Sequence, residues 1–203
     1  ISATEEKVLE SLWKAMVQRT RENIQAYIKD IRLKKAEEEG VPVEEVDVED
    51  LGFDQVLSMI DVSGLMECPA GEGFTCMDLS VSLGIVTSEL NEGAFKHMAL
   101  SFDSTPRMHY FVHSDGREFT LREKYRTVMS NVGYSTDIGK AMDLILDIAH
   151  KNSVPAGDLP SLVIYSDEGF DIQVRNHNET EHTGYWGSGE PMTTSAWNTT
   201  YDN

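Results

Sequence analysis

Residues 55–66, QVLSMIDVSGLM, decide how this chain is read. Residues 55–60 form a short, mostly apolar run. Such a run predicts a strand buried on both faces, as in a parallel sheet covered by helices. The run ends in Asp61, with Ser63 two residues on and Gly64 permitting a tight turn. A carboxylate and a hydroxyl therefore surround one point at the carboxyl end of a buried strand. In open α/β sheets that end, near the reversal of strand order, is where ligands sit.

Two later stretches carry the same chemistry. Residues 133–137, GYSTD, precede a helix and offer Thr136 and Asp137; residues 166–169, SDEG, follow the apolar run 161–166 and offer Asp167. If the strands ending at Asp61 and Asp167 are neighbours, both carboxylates reach one crevice. Hard oxygens converging from three loops suit a small divalent cation, and Mg²⁺ keeps several waters, so few protein ligands suffice. Asp137 stands either behind a metal-bound water or as the N-cap of its helix. Asp103 and Asp171, near strand ends, are either supporting groups of the same site or solvent-exposed loop acids.

Outward from these motifs, the chain divides into four parts. Residues 4–36 predict one long amphipathic helix, with Thr4 as N-cap and Leu9, Leu12, Trp13, Met16, Val17, Ile24, Tyr27, Ile28 and Ile31 at helical spacing. That stripe either packs on the domain's own sheet or binds a partner. Residues 37–54 are an acidic linker. Residues 55–172 alternate as strand 55–60, helix 77–90, strand 96–102, strand 107–112, helices 119–129 and 137–150, and strand 161–166. The inward positions of helix 77–90 are Leu79, Leu83, Val86 and Leu90. The four-residue connection 103–106 implies one antiparallel hairpin. The fold class is α/β, a doubly wound and mostly parallel sheet with one antiparallel strand. Residues 173–203 are polar and without periodicity.

Composition narrows the function. The chain has 203 residues, 17 Lys plus Arg against 35 Asp plus Glu, and a formal net charge of -18. That charge opposes general nucleic-acid binding and docking on anionic membranes. No apolar run is long enough to span a bilayer. Cys68 and Cys76 share one Gly-rich loop and read as free thiols in a reducing compartment, with a local disulfide as the alternative. An intracellular location follows from that reading. Asn178 and Asn198 begin glycosylation-type triplets, which polar segments often contain by chance. His97, His109, His113, His177 and His182 have no zinc-site spacing.

Taken together, MIDVSGLM, GYSTDIGKAMDLIL and YSDEGFD resemble the von Willebrand factor A family, most of all intracellular members distantly similar to the A-like domain of the Ro ribonucleoprotein. The resemblance runs from about residue 55 to 170. It implies a metal-dependent adhesion site built from Asp61, Ser63, Thr136 and Asp167. There Mg²⁺, or Mn²⁺ or Ca²⁺, keeps a position open for an Asp or Glu of a protein partner. It implies a non-catalytic interaction module. Two departures stand out. Leu65 replaces a Ser ligand, leaving the site partly degenerate. The family's last two strands and closing helix are not evident in residues 173–203, so the edge beside the fourth strand calls for a further segment or a partner. The chain thus reads as part of a larger chain or assembly. The alternatives are a metal-independent scaffold in an assembly and, more distantly, a phosphohydrolase of the haloacid dehalogenase type. In the latter Asp61 would be the nucleophile, with Asp167 and Asp171 on metal.

Overall fold

The computed structural model describes residues 2–40, 42, 55–91, 94–133 and 137–167. Thr136, Asp171, most of the linker and the whole segment 173–203, with Asn178, Asn198, His177, His182, Tyr185, Trp186 and Trp197, lie outside the described residues.

The central strand, β1 (Val56–Asp61), is buried along its whole length. A short antiparallel hairpin follows, β2 (Pro69–Gly71) with β3 (Phe74–Thr75). Then come α2 (Cys76–Leu90), β4 (Met98–Phe102), β5 (Arg107–Tyr110), α3 (Leu121–Met129), α4 (Ile138–Lys151) and β6 (Ser161–Tyr165). The chain opens with α1 (Ala3–Glu39). The main sheet has the order β5-β4-β1-β6, with β1 parallel to both β4 and β6 and only β4–β5 antiparallel. Both the fold class and the hairpin read at 103–106 are therefore present. Among the described residues β6 is the last strand; residues 173–203, one candidate cover for its edge with a partner as the other, lie outside them.

Side chains of β1 alternate between two apolar layers, as a strand's period of two requires. Leu57 and Met59 join Leu100, Phe102 and Ala141 of α4 on one face. Ile60 joins Val81 and Ile85 of α2, Ala99, Phe111 and Val128 of α3 on the other. Helices cover both faces.

The burying face of α2 differs from the sequence expectation. Leu79 and Leu83 are exposed and Val86 is half-buried, while Met77, Ser80, Val81, Gly84, Ile85, Thr87, Ser88 and Leu90 are buried. The reason is close approach to the sheet through small residues. Ser58 Oγ donates to the Gly84 carbonyl at 3.1 Å, and Ser80 Oγ donates to the Tyr165 carbonyl at 2.8 Å. A Cβ at Gly84 would run into the Ile60 side chain. Counting only large apolar residues therefore picks out a different face of the helix.

The N-cap of α1 lies two residues earlier than expected. Ser2, not Thr4, is the N-cap, in a reciprocal box with Glu5. The helix continues through Glu39, past the linker boundary read at residue 37, and stops at Gly40 in the left-handed conformation (φ 68°). At 1.5 Å per residue it is ~55 Å long. It packs on other helices rather than on the sheet. Trp13 Nε1 donates to Glu89 Oε1 of α2 at 2.8 Å, Arg21 donates to the Glu89 carbonyl, and Glu10 accepts the Leu121 N–H at the start of α3. Glu89 Oε1 also holds the buried Lys124 ammonium of α3 at 2.7 Å. One carboxylate thus joins three helices.

Candidate functional site

The order β4-β1-β6 makes β1 the point from which the chain crosses to either side, and the carboxyl ends of all three parallel strands meet there. Pairing of Ile60 with Tyr165 sets the residues that follow, Asp61 and Ser166, side by side. Ser166 Oγ donates to Asp61 Oδ2 at 2.6 Å, and the Ser63 N–H donates to Asp61 Oδ1 at 2.9 Å. Asp61 and Ser63 are both 0 % exposed.

The Ser63 hydroxyl is the anomaly. Its Oγ is buried and has no hydrogen-bond partner among the described residues. Leaving such a group unsatisfied costs about 1–3 kcal/mol.

The third wall comes from the loop before α4. Gly133 bridges to Ser63 in parallel fashion, and its N–H donates to the Val62 carbonyl at 3.2 Å. A Cβ at Gly133 would enter the Asp103 carboxylate, so only glycine fits this approach. Asp103 is itself buried at the end of β4; its Oδ1 accepts the Thr105 N–H, and Arg107 stands 3.9 Å from Oδ2. Asp103 is therefore not a solvent-exposed loop acid. It braces the loop that leads to Thr136. Gly133→Ala is expected to lower stability by about 1–3 kcal/mol, the usual cost of overpacking. The urea midpoint reads this, and an unchanged midpoint would show that Asp103 swings aside freely.

Asp137 acts as the N-cap. Its Oδ1 accepts the Lys140 N–H at 3.0 Å, and its Oδ2 pairs with the Lys140 ammonium at 2.9 Å. Burial pushes its pKa up, but the Lys140 hydrogen bonds and charge outweigh that and hold it below the usual range. Lys140 Nζ also donates to the Ser104 carbonyl, tying α4 to the turn beside Asp103. Gly133 lies beside Ser63 and Asp137 caps α4, while residues 134–136, Thr136 among them, lie outside the described residues.

Asp167 lies two residues beyond the end of β6 and is exposed. Its charge reaches Cys76, whose thiol is pushed above its ordinary pKa first by the hydrogen bond with Cys68, then by burial, then by the charges of Cys68 and Asp167. Leu65 is 62 % exposed and lines an open recess of about 520 Å³ with Gly64, Glu67, Val132 and Gly133.

Sequence reading missed Ser166 as the side chain on Asp61 and Gly133 as the close-approach residue. The register of two parallel strands would have pointed to the first; nothing local marks the second.

As a test of cation fit, the donors are hard oxygens, and an orphaned buried hydroxyl sits beside a buried carboxylate. Among the described residues, no group of three or more His, Cys, Asp or Glu is arranged to hold a metal ion. Any cation would rest on hydroxyls and water as much as on carboxylates, which suits Mg²⁺.

The fold and crevice define an α/β domain with a carboxylate–hydroxyl site at a topological switch point. Residues 55–203 match the family described as Domain of unknown function (DUF7788), and the chain belongs to that family. Comparison with curated proteins and with solved structures finds no match. No helix among the described residues is long and apolar enough to cross a membrane.

Proposed function

We propose that this domain is a non-catalytic protein-interaction module of the von Willebrand factor A-like kind, working inside the cell. In this reading Asp61 and Ser63, with Thr136 and Asp167 as the resemblance implies, hold Mg²⁺, or Mn²⁺ or Ca²⁺ in its place. When bound, the cation supplies an open coordination position for a carboxylate of a partner protein. Asp61 orients the site through its bonds to the Ser63 N–H and Ser166. The single observation that carries the reading is the buried, unpartnered Ser63 Oγ next to a buried carboxylate. A bound cation would satisfy it.

A melting experiment tests this. Mg²⁺ at about 100 times its Kd is expected to stabilise the chain by about 2.7 kcal/mol, and a chelator to remove the gain. Asp61→Ala should abolish the response. Leu65→Ser, which adds a hard oxygen where Leu65 now offers none, should tighten Mg²⁺ binding by roughly tenfold, or about 1.4 kcal/mol. A melt indifferent to Mg²⁺ in both the parent chain and Leu65→Ser rejects metal-dependent binding.

One observation favours a second reading. Both Asp61 oxygens already accept a hydrogen bond from within the domain. On that basis the crevice is a metal-independent brace, and the domain a scaffold in an assembly. The same melt separates the two.

A further inference from the structure

We propose that Cys68 and Cys76 form a reversible dithiol–disulfide site, closed by exchange with a small-molecule disulfide such as glutathione disulfide. The two sulfurs stand 3.0 Å apart, and the Cys76 N–H donates to the Cys68 carbonyl at 2.9 Å. The pair flanks the β2–β3 hairpin, next in register after Pro69 opposite Thr75. That one backbone bond and the short sulfur–sulfur distance together hold the two side chains facing each other. A disulfide has its sulfurs ~2.05 Å apart, so from 3.0 Å closure needs an approach of only about 1 Å. Both thiols are free, Cys68 exposed and Cys76 partly buried at the first turn of α2.

The chemistry balances without a further reactant. The Cys68 thiolate attacks one sulfur of the small disulfide; that S–S bond breaks, and one small thiolate leaves and takes up a proton. Cys76 then gives up its proton and attacks Cys68 Sγ. The mixed disulfide breaks, and the second small thiolate leaves and is protonated. Two protein thiols are oxidised and one small disulfide is reduced to two thiols. Cys68 is the entry thiol because it is the exposed one.

The location gives the bond a consequence. The 3-10 turn Gly64–Glu67 joins Ser63 to Cys68, and the Cys68 N–H donates to the Leu65 carbonyl at 3.3 Å. A Cys68–Cys76 bond would pin to α2 the segment that carries Leu65 and Glu67, one wall of the open recess. This inference does not rest on metal binding at the crevice and survives its failure.

The test equilibrates the full chain in glutathione buffers of graded oxidised-to-reduced ratio, then traps thiols by alkylation and reads intact mass. The expected product is a monomer that has lost two hydrogens and carries no glutathione. Closure in the native chain should be favoured over the same chain in urea by on the order of tenfold, ~30 mV for this two-electron couple. Cys76→Ser should trap glutathione on Cys68 faster than Cys68→Ser traps it on Cys76. Mixed disulfides without closure, disulfide-linked dimers, or equal closure in native and urea-unfolded chains would overturn the site. Equal trapping rates in the two single variants would overturn Cys68 as the entry thiol.

Discussion

Glu89→Ala is expected to destabilise the domain by about 3–5 kcal/mol, the range found when one partner of a buried ion pair is removed. Lys124 is only 3 % exposed and its ammonium rests on Glu89 Oε1 at 2.7 Å. Without that carboxylate the buried ammonium between α2 and α3 loses the ion-pair partner that the structure gives it. The Trp13 indole N–H loses its acceptor at the same stroke, so α1 loosens from α2. Chemical denaturation measures the loss. The pair Glu89→Leu with Lys124→Met tests the cause, since replacing both charges by apolar groups of similar size is often neutral. If the double variant is as unstable as Glu89→Ala, the loss comes from Trp13 and packing and not from the orphaned ammonium.

A second large effect follows from His109. Its ring is buried in β5, with Nε2 2.7 Å from Ser101 Oγ on β4. Burial, then the Arg107 charge, lower its pKa from 6.5 to about 4. The folded state therefore refuses a proton that the unfolded chain accepts below pH 6.5. The stability held by the neutral ring is full above that pH. It is lost as pH falls from 6.5 towards 4, at up to about 1.4 kcal/mol per pH unit and about 3 kcal/mol in all. His97, also shifted down chiefly by burial, adds a slope of the same sign. Above pH 5 the carboxylates contribute little, because their unfolded values lie lower. His109→Gln, which keeps a polar partner for Ser101, should flatten the stability profile between pH 5 and 6.5. An unchanged profile would show that His109 takes its proton in the folded state.

The strands of the crevice were legible because each carries its own signal. The run before Asp61 could be read as a strand buried on both faces, and the short connection 103–106 admitted only a hairpin. Asp137 could be read as an N-cap, and it caps α4; Asp103 could be read as buried or exposed, and it is buried. Features that depend on two distant segments meeting were not legible. The hand of Ser166 on Asp61 depends on register across 105 positions. Gly133 is special only because Asp103 arrives from another strand. Leu79 and Leu83 misled because α2 lies close against β1 and β6, where small residues bury better than large ones. Ser2 was overlooked as a cap because Thr4 lies nearer the first apolar residue, yet the Glu5 partner belongs to Ser2.

The central position of β1 has a consequence for synthesis on the ribosome. β1 is made early, but its neighbour β6 follows it by more than a hundred residues, and only then does Ser166 reach Asp61. At about 5–20 residues per second, the nascent chain holds a buried-type strand with one side unpaired for roughly 5–20 s. During that interval β1 can pair only with β4, and the carboxylate at its tip stays in water. Among the described residues the crevice is therefore completed only after the other strands are made, and anything that binds it meets a sheet already formed around β1 and β4.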